Sequence, residues 1–244
     1  MDAAVLACRF PLGLKIEQSL YQDGEHVILQ RKFFFFQGMR EGRIGLALST
    51  STLTRKFKAK VLPDLYLGNL KDARDKELLA QHNITHILSI HDTAAPVLED
   101  MTYLCISAAD HSKQNLMQYF RDSIMFIHES RMKGEGCLVH CVAGVSRSVT
   151  LVVAYIMTVT GRGWVESLAA VRAARPCAGP NLGFLRQLEE FENTELTQYR
   201  AWWKERYGKN SFSDEEEVGA LLTRKSNGNA LTTGVTPALA TSGT

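Results

Sequence analysis

Long apolar runs, a strong net charge and a dense set of cysteines are all absent from this sequence of 244 residues. No stretch approaches the roughly 20 consecutive apolar residues that a membrane-spanning helix requires. The 28 Lys and Arg residues against 26 Asp and Glu leave a net charge of +2, which disfavours a protein built to coat nucleic acid. Because 45% of the residues are hydrophobic, there is enough apolar material for a core. The composition indicates a soluble globular protein with no nucleic-acid partner.

The five cysteines are too few and too scattered for a disulfide framework. Cys137 and Cys141 are the only close pair, and in a strand their Cα atoms would lie about 13 Å apart. A disulfide needs a separation below about 7 Å. The N-terminus also lacks the pattern of a secretory signal, since Asp2 has the wrong charge and Arg9 interrupts the apolar run. We therefore expect a reducing compartment, the cytoplasm or the nucleus.

Composition divides the chain into three zones. Residues 1–58 show no clean amphipathic period, and we predict a poorly ordered N-terminal extension. Residues 59–207 have the dense, regular pattern of a folded domain. Residues 208–244 are rich in Ser, Thr, Gly and Ala and contain an acidic run, which predicts a disordered C-terminal tail.

Short apolar strands alternate with helical patterns in the middle zone. The predicted strands are 65–67, 85–90, 102–106 and 137–141. The predicted helices are 69–81, 116–132, 146–160, 164–174 and one or more over 183–207. This alternation predicts an α/β fold with a central mixed, largely parallel sheet flanked by helices.

The segment from Gly136 to Ser148 carries the chemistry. An apolar strand ends at His140, Cys141 follows, and a hydrophobic helix begins near Arg147. A short loop between a strand and a helix N-terminus can aim successive backbone N–H groups at one anion. The predicted phosphate-binding residues are Val142, Ala143, Gly144, Val145, Ser146 and Arg147.

Cys141 lies at the base of this predicted cradle. The N–H groups, the helix dipole and the guanidinium of Arg147 would lower its pKa from about 8.5 into roughly the 3.5–7.5 range. Arg147 would also clamp two phosphate oxygens, and Gly144 allows the tight turn. A thiolate that faces a phosphate is a nucleophile, so the pattern predicts phosphoryl transfer to sulfur followed by hydrolysis. His82 and His86 have no evident third ligand, and we expect neither a metal nor a cofactor.

The leaving oxygen also needs a general acid, because it must be protonated as the P–O bond breaks. Spacing alone does not choose among the carboxylic acids in this part of the chain. The candidates are Asp92, Glu99, Asp100, Asp110 and Asp122.

The string from His140 to Ser148 resembles the signature His-Cys-x-x-Gly-x-Ser-Arg-Ser of the dual-specificity branch of the cysteine-based protein tyrosine phosphatases. Residues 61–69, 84–90, 103–110 and 180–184 also resemble family blocks, in the family's order. The resemblance covers about residues 59–207 and points to the small atypical subgroup that includes the Jun-kinase-stimulating phosphatase. It implies the small protein tyrosine phosphatase-like fold.

The resemblance also implies roles for individual residues. Asp110 corresponds to the general acid, which later activates the attacking water. Ser148 corresponds to the hydroxyl that helps the thiolate leave. His140 would hold the loop and tune Cys141, and Asn181 would support the active-site loops.

The implied function is a cysteine-dependent dual-specificity protein phosphatase that acts on phosphotyrosine, phosphoserine and phosphothreonine through a phosphocysteine. Relatives that act on inositol lipids carry basic residues in the loop, where Val142, Ala143 and Val145 are apolar here. The expected partners are phosphorylated proteins, including kinases of the Jun-kinase and MAP-kinase pathways. The alternative is a phosphoprotein-binding or scaffold module, which the presence of the nucleophile, the arginine and the acid disfavours.

Members of that subgroup begin with Met-Gly and are N-myristoylated. This sequence begins Met1-Asp2, so the acceptor glycine is missing. We expect no N-myristoyl membrane anchor and a cytoplasmic or nuclear protein.

Overall fold

The computed structural model describes residues 5–9, 15–23, 26–34 and 59–230, with side chains described over 59–223. An eight-stranded sheet has the order β1-β2-β3-β7-β6-β8-β5-β4. Its strands are β1 (Val5–Arg9), β2 (Lys15–Asp23), β3 (His26–Phe34), β4 (Lys60–Leu62), β5 (Leu65–Gly68), β6 (Ile84–Ile90), β7 (Thr102–Ile106) and β8 (Gly136–His140). The four central strands β7, β6, β8 and β5 are parallel, and every other pair is antiparallel. The predicted mixed sheet is confirmed, with its parallel part at the centre.

The helices cover this sheet. They are α1 (Lys76–Gln81), α2 (Phe120–Met132), α3 (Arg147–Val159), α4 (Trp164–Ala174), α5 (Leu182–Thr194), α6 (Leu196–Tyr207) and α7 (Asp214–Ala230). Within the described ranges, no helix is both long and apolar enough to cross a membrane.

The two faces of the sheet carry two separate apolar clusters. Leu88 and Val139 belong to the larger cluster, which includes α2 and nearly all of α3. Ile87 and Leu138, which directly precede them on the same strands, belong to the smaller cluster with α1. This alternation follows from the two-residue period of a strand. Because β6, β7 and β8 are parallel, their C-terminal ends lie at one edge of the sheet, where the loops of the site emerge.

The C-terminal tail differs from the sequence-based prediction of disorder. Residues 214–230 form α7, and Val218 is fully buried. Asp214 is also fully buried and accepts hydrogen bonds from both terminal nitrogens of Arg131, at 2.9 and 2.7 Å. The acidic run was the signal for disorder, yet it forms the first helical turn, where negative charge stabilises the helix dipole. Residues 231–244 lie outside the described residues.

The N-terminal extension also differs in part from its prediction of poor order. Strands β1, β2 and β3 pair antiparallel, and β3 meets β7 where Leu29 lies opposite Tyr103. The sequence of β3 is rich in β-branched and aromatic residues, which favour strands. Its apolar residues do not alternate, so the two-residue period that signals a half-buried strand is missing. The rest of residues 1–58 lies outside the described residues.

Candidate active site

The phosphate cradle forms where the central strand β8 ends. All five residues of β8 are buried between β6 and β5, and α3 begins at Arg147. Residues 141–146 therefore have to turn sharply from a strand into a helix. The segment predicted from the sequence lies at this junction, and the structure brings all its phosphate-binding candidates together.

Gly144 has a backbone conformation that only glycine adopts easily, with φ at +67°. A Cβ atom at this position would overlap the carbonyl oxygen of Gly68 and would lie 2.6 Å from a guanidinium nitrogen of Arg175. Both the dihedral angle and the space therefore require glycine.

The sulfur of Cys141 is surrounded by hydrogen-bond donors. The N–H of Gly144 and the hydroxyl of Ser148 each donate to Sγ at 3.2 Å. Burial by itself would raise the pKa of Cys141, because the side chain is only 1% exposed. Hydrogen bonds from the Ser148 hydroxyl and from the N–H groups of Ser148, Val145 and Gly144 outweigh burial and hold the pKa below its ordinary value.

This lowered pKa makes a testable prediction. We expect alkylation of Cys141 by iodoacetate to follow a titration whose midpoint lies below the ordinary thiol value of about 8.5. A thiol is unreactive below its pKa, so a lower pKa extends the reactive range toward acid. Cys105 provides the internal comparison, since burial raises its pKa to about 11. Mass-spectrometric labelling against pH measures both, and a Cys141 midpoint at or above 8.5 would contradict the hydrogen-bond account.

Arg147 is buried and held by residues that follow β6 and β7. It is 5% exposed, and its Nη1 donates to the carbonyl of Ala108 at 2.8 Å and to the carboxylate of Asp92 at 2.9 Å. Its Nε is buried and has no hydrogen-bond partner among the described residues. That N–H is available to a phosphate oxygen, as a bidentate clamp requires.

Asp92 was one of the five candidate acids, but its contact with Arg147 indicates a positioning role and not proton donation. The hydrogen bond from Arg147 is the main reason why the pKa of Asp92 is lowered. A carboxylate that is stabilised in its charged form is a poor proton donor. Asp92 instead orients Arg147, and the sequence analysis did not identify this contact.

Asp110 is the candidate acid that lies over the cradle. Its Oδ1 accepts from the Ser146 hydroxyl at 2.8 Å and from the Asn181 amide at 2.9 Å. Its Oδ2 lies 3.7 Å from Nε of Arg147. The carboxyl group remains 36% exposed and can meet a substrate. Asn181 is also the N-cap of α5, where its side chain accepts from the N–H of Phe184.

The remaining candidate acids lie elsewhere. Glu99 and Asp100 precede β7, and Asp122 lies on α2. Of the five carboxyl groups, Asp110 is therefore the one whose position suits the predicted role.

His140 is buried beneath the cradle, at 2% exposure. Its Nδ1 lies 3.3 Å from the carbonyl oxygen of Cys141, and since a carbonyl only accepts, Nδ1 carries the proton. Burial lowers the pKa of His140 to about 4, so the ring is neutral at pH 7. The contact fits the predicted role of holding the loop.

Arg175 contacts the cradle from behind, and the sequence analysis missed it. Its Nε donates to the carbonyl of Gly144 at 2.6 Å, and its Nη2 donates to the carbonyl of Ala143 at 3.1 Å. The N–H of Gly179 donates to the next carbonyl, that of Val145, at 2.9 Å. Three successive carbonyl groups are thus held away from the centre of the cradle, which leaves their N–H groups free to face an anion. Arg175 lies 28 residues beyond Arg147 in the sequence, outside the signature that carried the resemblance.

We expect Arg175→Met to lower kcat by about 100-fold and to raise the pKa of Cys141, because the loop loses two of its anchors. Arg172→Met is the matched control. Arg172 donates to the carbonyl of Ala178, in the loop between α4 and α5, at 2.9 Å. Its side chain makes no hydrogen bond to the cradle among the described residues. The measurements are kcat and the pH dependence of Cys141 alkylation. If kcat falls equally in both variants and the pH dependence of Cys141 alkylation does not change, Arg175 has only a structural role.

Residues 65–194 match the family "Dual specificity phosphatase, catalytic domain". Dual specificity protein phosphatase 22-B from Danio rerio is 71% identical over 167 residues, which are 68% of this chain and 91% of that protein. Dual specificity protein phosphatase 22 from Homo sapiens is 61% identical over 163 residues, covering 67% of this chain and 89% of the relative.

Solved structures agree with these relatives. The crystal structure of DUSP15 has a TM-score of 0.59 and 50% sequence identity, and it covers 62% of this chain and 97% of that one. The human tyrosine phosphatase-like serine/threonine/tyrosine-interacting protein has a TM-score of 0.54 and 34% identity, covering 57% and 97% respectively. The matched family region spans β5 to the end of α5 and contains the whole cradle with Asp110 and Asn181. This chain therefore belongs to the dual specificity protein phosphatases, as an atypical member of the cysteine-based protein tyrosine phosphatase superfamily.

Proposed function

We propose that this phosphatase works through a phosphocysteine on Cys141, with Asp110 as the general acid and base. The observation that carries the proposal is the set of hydrogen bonds on the Cys141 sulfur, which lowers its pKa at the base of an anion cradle. A sulfur whose pKa is lowered and that faces a bound phosphate is a competent nucleophile.

In the first step the thiolate attacks phosphorus and the bond to the leaving oxygen breaks. Backbone N–H groups of residues 142–147 and the guanidinium of Arg147 stabilise the charge on the three equatorial oxygens. Protonated Asp110 gives its proton to the leaving tyrosine, serine or threonine oxygen. The products are the dephosphorylated side chain and a phosphocysteine.

In the second step a water molecule attacks the phosphocysteine. Asp110, now ionised, takes a proton from this water, and the bond between phosphorus and sulfur breaks. Ser148 donates to Sγ at 3.2 Å and stabilises the thiolate as it leaves. Inorganic phosphate is released and the enzyme returns to its starting state.

The proposed substrates are phosphoproteins of kinase signalling, including kinases of the Jun-kinase and MAP-kinase pathways, in the cytoplasm or the nucleus. The support for these pathways is the resemblance to the Jun-kinase-stimulating subgroup. The apolar side chains of Val142, Ala143 and Val145 give no basic site for the extra phosphates of an inositol lipid.

The test is a rapid acid quench with a ³²P-labelled phosphotyrosine peptide, in the presence of a chelator. We expect label on the peptide that contains Cys141. Ser148→Ala should retain more label than the wild type, because breakdown of the phosphocysteine becomes slower. Thr158→Val is the control, since Thr158 lies on the same helix and its hydroxyl bonds the carbonyl of Ala154. Turnover without any label on Cys141 would contradict the intermediate, and a folded protein with neither label nor turnover would favour a binding module.

A further inference from the structure

A cavity of about 250 Å³ lies beside the cradle, and the proposed mechanism does not use it. Ser89 on β6 and His140 on β8 lie opposite each other in the sheet, and both line the cavity. The turn before α1 and the loop after β6 complete its walls. We refer to it as the histidine cavity, lined by Arg74, Ser89, His91, Tyr103, His140 and Val142 among others.

The histidine cavity borders the phosphate site. Val142 belongs to both, is 50% exposed, and its carbonyl accepts from the N–H of Leu70, another lining residue, at 3.2 Å. His91 lines the cavity directly before Asp92, which holds Arg147. An extended peptide advances about 3.3 Å per residue. A substrate whose phosphate rests on the cradle therefore places a neighbouring side chain within reach of the cavity.

Ser89 gives the cavity an unused polar group. The side chain is 1% exposed, and its hydroxyl has no hydrogen-bond partner among the described residues. A buried hydroxyl without a partner is costly, and native structures rarely leave one unpaired. A ligand with one uncharged polar group would satisfy it.

The rest of the lining favours an apolar occupant. Leu70, Ala73, Ala95 and Val97 contribute apolar walls. Burial lowers the pKa of both His91 and His140, so neither ring offers a charge at pH 7. A charged side chain would lose its hydration, and the one cation in the lining, Arg74, is exposed to water and offers an acidic group little in return. Arg74, which is exposed, would also repel lysine and arginine.

We propose that the histidine cavity is a substrate subsite that accepts an aromatic or branched apolar side chain flanking the phosphorylated residue. Tyrosine fits best, because its ring fills the apolar space and its hydroxyl can pair with Ser89. The volume is sufficient, since a cavity of about 150 Å³ already holds benzene. The subsite rests on the proposed phosphatase function, and it makes substrate choice depend on a residue beside the phosphate.

The test is a panel of phosphotyrosine peptides on an alanine background, in which one flanking position at a time is Tyr, Phe, Leu, Lys or Asp. We expect kcat/KM to rise about tenfold for Tyr, Phe or Leu at one position, and not for Lys or Asp. Ser89→Ala should remove the advantage of Tyr over Phe. Hydrolysis of p-nitrophenyl phosphate, which has no flanking residue, is measured in parallel.

Ala95→Phe fills the cavity from an exposed position and should bring the flanking preference to about one. Ala94→Phe is the matched control, because the adjacent Ala94 does not line the cavity, and it should keep the preference. If the wild type hydrolyses p-nitrophenyl phosphate but treats all flanking residues alike, the subsite is wrong and the phosphatase function stands. A preference that survives in Ala95→Phe also overturns the subsite. If the folded wild type does not hydrolyse p-nitrophenyl phosphate, the phosphatase function itself fails, and the subsite fails with it.

Discussion

Replacement of Cys141 by serine is expected to reduce turnover of p-nitrophenyl phosphate by about 10⁴-fold or more, the scale seen when a nucleophile is removed. The same hydrogen bonds that lower the pKa of the thiol cannot ionise an alcohol, whose pKa is several units higher. The substituted side chain would still fit the cradle, because serine is slightly smaller than cysteine. Phosphate and phosphopeptide binding should therefore survive while the chemical step is lost.

The assay is run without metal and with a chelator. Cys177→Ser is the control, since Cys177 is an exposed free cysteine in the loop behind the cradle and has no proposed chemical role. We expect it to keep wild-type turnover. Residual turnover in Cys141→Ser within tenfold of the wild type would rule out Cys141 as the nucleophile.

Asp214→Asn is expected to lower the free energy of unfolding by about 3–5 kcal/mol, the usual cost of breaking a buried ion pair from one side. Both side chains of the pair are fully buried, with Nη2 and Oδ1 2.7 Å apart. Arg131 also donates to the Tyr155 hydroxyl and to the carbonyl of Pro63, and it lies 4.1 Å from the centre of the Phe212 ring. These neutral partners would remain, but the guanidinium would keep its charge without a counterion.

Glu215→Gln is the matched control for this measurement. Glu215 is the next residue of α7 and pairs with Arg162 at 2.8 Å, but its side chain is 55% exposed. An exposed pair contributes less than about 1 kcal/mol, so this variant should unfold almost like the wild type. Urea or thermal unfolding of the full chain measures both variants. Similar losses in the two would show that α7 packs on the domain without depending on the buried pair.

The cradle was predictable from the sequence because its parts are contiguous. Eight residues from Cys141 to Ser148 contain the nucleophile, the clamp and the required glycine, and the apolar pattern on each side places them between a strand and a helix. Arg175 and the orienting contact of Asp92 were not predictable, since tertiary folding brings them to the loop from distant segments. Asp110 could be chosen from five acids by resemblance, whereas spacing alone left the choice open.

The helix α7 shows a different reason for failure. Its sequence has the composition of a disordered tail, but the folded domain supplies partners from distant segments: Arg131 for Asp214, and the apolar core for Val218. Local composition indicates whether a segment can fold by itself, but contacts with the rest of the domain can offset the entropy cost of ordering it. The strands of the N-terminal extension were missed because their apolar residues do not alternate.

Asp110 connects its own loop after β7 to the cradle and to α5. Its Oδ1 accepts hydrogen bonds from the hydroxyl of Ser146 in the cradle and from the amide of Asn181, which caps α5. The protein's own side chains, and not the substrate, hold the proposed proton donor in position. In this structure the proposed acid is therefore already aligned with the cradle before any substrate binds. Because these hydrogen bonds tie the loop of Asp110 to Ser146 and to the start of α5, a change in the length of that loop would also disturb the phosphate site.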